Sequence, residues 1–123
     1  MILVDTSVWI EHLRLGDARL VAALSDGLVR IHPCIIGEIA LGSLRQRELI
    51  LTALNAIPQV TGATDAEVYA LIEAERLFGL GIGFLDVHLL AALRLTPGVR
   101  LWTLDKRLAA VADRLGLSAP SAN

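Results

Sequence analysis

The chain is short of several things, and each shortage closes a possibility. It has one cysteine, Cys34, so no disulfide can form within it. A lone cysteine fits a reducing compartment, and a cytoplasmic location is the expectation. Cys34 lies in the apolar run "HPCIIGEIA" with no base beside it, which reads as an inert buried thiol rather than a nucleophile. No apolar run approaches the roughly 18 residues of a membrane span, so no membrane segment is expected. The apolar start lacks a basic flank, which predicts no signal peptide. Lysine is nearly missing too: Lys106 is the one non-arginine among 11 basic residues. The net charge is −2 and the isoelectric point about 5.8, so the chain is no basic nucleic-acid glove. A local arginine patch that pairs with phosphate stays open.

What is present is an alternation of short apolar strands with helices. The 123 residues are enough for one domain with its own core. "ILVD", "LVRIH", "QVTG" and "VRLWT" read as strands. Helices are expected through "SVWIEHLRL", "DARLVAALSDG", "PCIIGEIALGSL", "RQRELILTALNAI", "DAEVYALIEAERLFG", "FLDVHLLAALRL" and "LDKRLAAVADRLG". Pro33 suits a first turn, and Thr64 with Glu67 forms a capping box. "GLGIG" follows a helix and lacks the lysine of a phosphate loop, so it reads as a connection. The tail 118–123 is expected to fray. Strands separated by helices predict an α/β fold: a parallel sheet sandwiched by helices. Such sheets bind ligands at the carboxyl ends of their strands.

Most of the 13 acidic residues sit near helix ends or polar neighbours and read as solvated. Four differ. Asp5 ends an apolar strand, as a metal ligand or as the cap of the next helix. Glu38 shares a helix face with Cys34, Ile35, Leu41 and Gly42, where a carboxylate is costly unless paired or metal-bound. Asp86 shares a face with Leu89, Leu90 and Leu93, or else serves the helix dipole. Asp105 follows the last strand and is also placed to cap the last helix. Together, two strand-end acids and two acids on sheet-facing helices form an oxygen-only cluster that suits a hard divalent ion, Mg²⁺ or Mn²⁺. His12, His32 and His88 share no ligand spacing. Trp9 is expected in the core. Trp102 is a lesser candidate for base stacking, and Arg45, Arg47, Lys106 and Arg107 for holding RNA backbone, with solvated charge the default.

"LVDTSVWIEHL", "HPCIIGEIALGSL", "GIGFLDVHLLAA" and "LWTLDKRLAAVADRLGL" occur in family order and resemble the PIN-domain ribonucleases, most closely their VapC toxin branch. The resemblance spans nearly the whole chain, as one PIN domain over residues 1–123. It implies that Asp5, Glu38, Asp86 and Asp105 hold one or two Mg²⁺ or Mn²⁺ ions and hydrolyse RNA. It makes Thr6, Ser7 and Thr103 candidates for orienting ligands or waters, against ordinary capping and turn roles. It also implies a VapB-like antitoxin partner and, by analogy, a homodimer. A mean hydropathy of +0.61 points the same way, with the helices through "VAALSDG" and "ELILTALNAI" as candidate surfaces. Gly37, beside Glu38, departs from the bulkier or hydroxylated residue expected there. Rival readings are a catalytically inactive PIN-fold binding protein, a receiver-like Mg²⁺-binding signalling module, and a DNA nuclease on the same fold. The chain lacks what a receiver would want, paired acids after the first strand and a lysine at a late strand end: Asp5 is followed by Thr6, and the only lysine, Lys106, follows Asp105. The chain also has little room for a DNA clamp.

Overall fold

The computed structural model describes residues 1–120. Three parallel strands form the sheet: β1 (Ile2–Val4), β2 (Val29–Arg30) and β3 (Arg100–Trp102), in the order β2-β1-β3. Leu3 pairs with Arg30 on one side and Leu101 on the other. The helices are α1 (Thr6–Leu15), α2 (Ala18–Ser25), α3 (Pro33–Ala40), α4 (Arg47–Asn55), α5 (Asp65–Glu75), α6 (Phe84–Leu95) and α7 (Lys106–Arg114). Leu3, Val4, Ile31, Ile35, Ile39, Leu89, Leu90 and Leu108 are fully buried and define one core. α6 and α7 pack on β3, α5 on α6, and α1 on α3.

Local chemistry explains the helix starts. Asp17 caps α2 by accepting from Arg19 N and Leu20 N. Thr64 and Glu67 close the expected capping box of α5. Pro33 opens α3, and the preceding His32 caps it through Nδ1, which accepts from Cys34 N at 2.9 Å.

Three expectations need correction. "QVTG" is no strand: Gln59 makes a single bridge to Ile31. Pro58 has no N–H to give, and Thr61 N donates instead to Thr96 Oγ1, so the segment leaves the sheet edge at once. The helix through "PCIIGEIALGSL" stops at Ala40. Arg47 satisfies its end by donating to the Ala40 and Gly42 carbonyls, which places one candidate RNA-binding arginine in a structural role. The tail does not fray at Ser118. Ser118 bridges Leu101, and Ala119 N donates to Leu101 O at 2.7 Å. Residues 121–123 of the expected frayed tail lie outside the described residues.

That last contact sets the position of the site. From β1 the chain moves towards β2. From β3 it moves the opposite way, through α7 to Ser118. Right-handed crossovers then pass over opposite faces, and the crevice between the carboxyl ends of β1 and β3 is the topological switch point. Asp5 follows one strand directly, and Thr103 follows the other.

Candidate metal centre

Asp5 is buried, at 6% exposure. Its side chain does not cap α1. Its Oδ2 instead accepts from Ser7 Oγ at 2.8 Å and Thr103 Oγ1 at 2.7 Å. Each hydroxyl has one proton, so both protons are spent on Asp5, and the 3.3 Å approach of the two hydroxyls adds no further bond. Each hydroxyl also accepts: Ser7 Oγ from Leu104 N, and Thr103 Oγ1 from Asp105 N, both at 3.0 Å. The start of α1 is thereby tied to the turn that carries Asp105.

Asp105 caps α7, its Oδ1 accepting from Arg107 N and Leu108 N. Asp86 stands in the first turn of α6, where its Oδ2 accepts from Gly83 N at 2.9 Å. Glu38 Oε1 accepts from Thr6 Oγ1 at 2.8 Å. One pattern recurs in all four acids. One oxygen is tied to the protein, and among the described residues the other makes no hydrogen bond. Nor does any of the four form an ion pair among those residues.

Asp86 senses its neighbours. Burial, and then the charges of Asp5 and Asp105, push its carboxyl above the ordinary value, against the lowering effect of the Gly83 N–H. These three acids therefore share one electrostatic neighbourhood. Glu38 joins through Thr6, the residue after Asp5. The four do not form a closed cage: among the described residues, no three His, Cys, Asp or Glu side chains stand together in ligating geometry.

The expectation that all four acids lie in apolar surroundings needs correction. Asp5 is buried and Asp86 half-buried, but Glu38 and Asp105 are exposed. The buried stripe of α3 runs through Ile35 and Ile39, and Glu38 flanks it. Leu41, expected on the Glu38 face, is 90% exposed beyond the helix end. A Cβ at Gly37 would meet nothing within 4 Å, so no packing beneath Glu38 depends on that position.

The remaining candidates fall into place. Thr6, Ser7 and Thr103 each hold an acid. The histidines serve structure: His12 Nδ1 accepts from Asp17 N, His32 caps α3, and His88 Nε2 meets Asp65 at 3.0 Å. Cys34 is partly buried, and burial and the charge of Glu38 raise its pKa, which keeps the thiol protonated. Trp9 is in the core, with its Nε1 lacking a partner among the described residues. Two contacts escaped the sequence reading. The Gly83 N–H fixes Asp86, and the Arg107 side chain packs over Gly81, where φ is +77°, a backbone conformation that favours glycine. The first was readable as a capping pattern, since Gly83 precedes Asp86 by three residues. The second depends on tertiary approach and leaves no local signal.

A parallel α/β domain with acids gathered at its switch point is what the motif resemblance implies. Over 118 residues the chain is 49% identical to Ribonuclease VapC32 of Mycobacterium tuberculosis, in each of two strains, covering 96% of this chain and 95% of the relative. No family model matches the chain. The chain belongs to the VapC family of PIN-domain ribonucleases.

The raised Asp86 pKa has a consequence for the metal-free protein. Folded Asp86 holds its proton to higher pH than the unfolded chain does, so stability falls as pH rises above the ordinary carboxylate range. Asp86→Asn removes that loss. In chelator, the variant should unfold at higher urea than wild type at neutral pH, with the gain shrinking at acid pH. Identical midpoints across the pH range would contradict this reading.

Proposed function

We propose that this protein is a divalent-metal-dependent endoribonuclease and the toxin of a toxin–antitoxin pair. The observation that carries the reading is the shared pattern of Asp5, Glu38, Asp86 and Asp105: one oxygen fixed, one without a protein partner, and no cation among the described residues to balance them. The relative's name, a ribonuclease, supplies the chemistry.

The donor set fits Mg²⁺ or Mn²⁺. It consists of hard oxygens only, held by side chains and backbone that fix their orientation. Such an ion, when bound, supplies charge to the phosphodiester and acidifies a water for in-line attack. The chain's own groups do the rest. Ser7 and Thr103 hold Asp5 as a carboxylate acceptor and keep it from turning to cap α1. Asp105 is held by the two N–H groups of α7, so its second oxygen has a defined direction. Asp86 is held by the Gly83 N–H, so its second oxygen has a defined direction too. Hydrolysis of this kind needs no 2′-hydroxyl nucleophile. The protein acts on RNA, and its lone Cys34 fits the reducing cytoplasm as the compartment.

The antitoxin is a VapB-like protein. A groove of about 510 Å³ between α1 and the α3–α4 turn is lined by Ile10, Leu13, Leu44 and Ile50, with Arg14 and Arg45 at its walls. Its chemistry suits the apolar face of an amphipathic helix with acidic flanks. A basic side chain of the same partner can pair bidentately with the acids and compete with metal.

Cells producing wild type without antitoxin should stop growing, and purified wild type should cleave RNA only with Mg²⁺ or Mn²⁺. Asp5→Asn and Asp86→Asn should permit growth and abolish cleavage while remaining folded. Equal growth of wild type and variants would contradict the toxin role, and undiminished cleavage by both variants would contradict the site.

A homodimer is the further part of this reading. Val21 on α2 and Leu49 on α4 are exposed, as the candidate helices require, and further exposed apolar side chains lie on α5 and α6 at Tyr69, Phe84 and Leu85. Light scattering should give twice the 13.2 kDa chain mass. A monomer at micromolar concentration would rule the dimer out.

A further inference from the structure

We infer that the protein carries a nucleobase pocket beside the acidic cluster, built on Trp102 and Arg19 and fitted to the acceptor edge of a guanine in the RNA strand. This rests on the ribonuclease reading for its substrate class, but its geometry is independent of metal. Trp102 ends β3 and is half-buried, although most other strand residues of the sheet centre are fully covered. Beside it opens a cavity of about 410 Å³. Ligand pockets run from roughly 300 to 1,000 Å³. Ala23 of α2 and Ala109 of α7 form small side walls, which leave room next to the indole.

The cavity is joined to the acids by a shared residue. Thr103 lines it and also donates to Asp5 Oδ2 at 2.7 Å. Leu104, whose N–H is bound by Ser7, lies at the rim. A base seated in the cavity therefore belongs to a nucleotide whose backbone runs past Asp5. Unpaired RNA bases are taken up by stacking on aromatic rings or guanidinium planes. Both are present here, one over the other: both side chains line the cavity, and the Arg19 guanidinium stands 5.0 Å from the centre of the Trp102 ring. That is too close to admit a base between them, so a base takes that ring face only as Arg19 swings from it to the base edge.

Arg19 also decides which base. Its side chain is half exposed, with Nη2 held 3.6 Å from Asp17. The arginine fork offers donors only, and matches the paired acceptors O6 and N7 of guanine. Adenine presents a donor at the corresponding edge, and the pyrimidines lack the pair. No other aromatic side chain has this setting. Trp9 is in the core, Tyr69 and Phe84 pack together on α5 and α6, and Phe78 is exposed and does not line the cavity.

The test uses the full chain in chelator, so that metal plays no part. A Trp9→Phe background leaves Trp102 as the sole indole of the two in the chain. Its fluorescence is titrated with GMP, AMP, CMP, UMP and inorganic phosphate. Saturable quenching is expected, strongest with GMP and absent with phosphate, and weakened in Arg19→Met. In a separate assay with metal, Trp102→Ala should raise KM for short single-stranded RNA about tenfold, as loss of one base stack implies, with a smaller effect on kcat. Trp102→Ala should also flatten any preference for guanine next to the cut, and Trp102→Phe should restore most of the KM. No quenching by any nucleotide, or equal quenching by phosphate, would overturn the pocket, as would a Trp102→Ala protein with unchanged KM and preference. If Trp102→Ala fails to fold, Trp102→Phe and Arg19→Met decide: wild-type KM, base preference and GMP affinity in both would overturn it. Quenching by GMP in a protein that cleaves no RNA would uphold the pocket and sink the ribonuclease reading instead.

Discussion

Two hydroxyls donating to one oxygen of a buried carboxylate hold this site together. Burying Asp5 is costly unless its charge is solvated by the protein, and Ser7 and Thr103 supply that solvation from the two sides of the switch point. The same hydroxyls accept from the backbone of Leu104 and Asp105. One small network thus fixes the first acid, the turn after β3 and the entry to α7. Removing either hydroxyl would leave a buried carboxylate short of a partner and loosen the turn that aims Asp105.

The other acids are fixed by cheaper means. Asp86 and Asp105 use helix starts, where backbone N–H groups are free to donate and the helix dipole favours a negative charge. Glu38 is exposed and needs only Thr6. Structural capping and ligand duty are therefore not alternatives for Asp105. One oxygen does the first, and the second is left for the other. Burial first, and then the charges of Asp5 and Asp105, raise the pKa of Asp86, the half-buried acid of a helix start.

The ends of β1 and β3 are legible in the sequence because an apolar run stops at an acid or a hydroxyl, and Pro33, Thr64 and Gly116 punctuate the helices. The acids themselves are readable because carboxylates stand out in apolar company. Their burial is not. Glu38 flanks rather than joins the buried stripe of α3, because the helix ends at Ala40 and the pattern beyond it never becomes helical. The bridge at Ser118 and the failure of "QVTG" as a strand depend on which N–H groups find partners far away in the chain, at Leu101 and Thr96. Local pattern carries no record of such pairings. The joint work of Ser7 and Thr103 on Asp5, 96 residues apart, belongs to the same kind. Their types hinted at it, and only the fold brings them together.

The central claim is that fixed carboxylates, each with one unpartnered oxygen, make a divalent-ion site. Titration of the purified chain with Mn²⁺, followed by loss of the free-ion paramagnetic resonance signal, tests it directly. Wild type should bind saturably, Asp5→Asn should not, and Thr103→Val should bind about 10- to 100-fold more weakly, the usual effect of removing a residue that orients a ligand. Mn²⁺ binding by Asp5→Asn as tight as wild type, or no saturable binding by wild type, would contradict the claim.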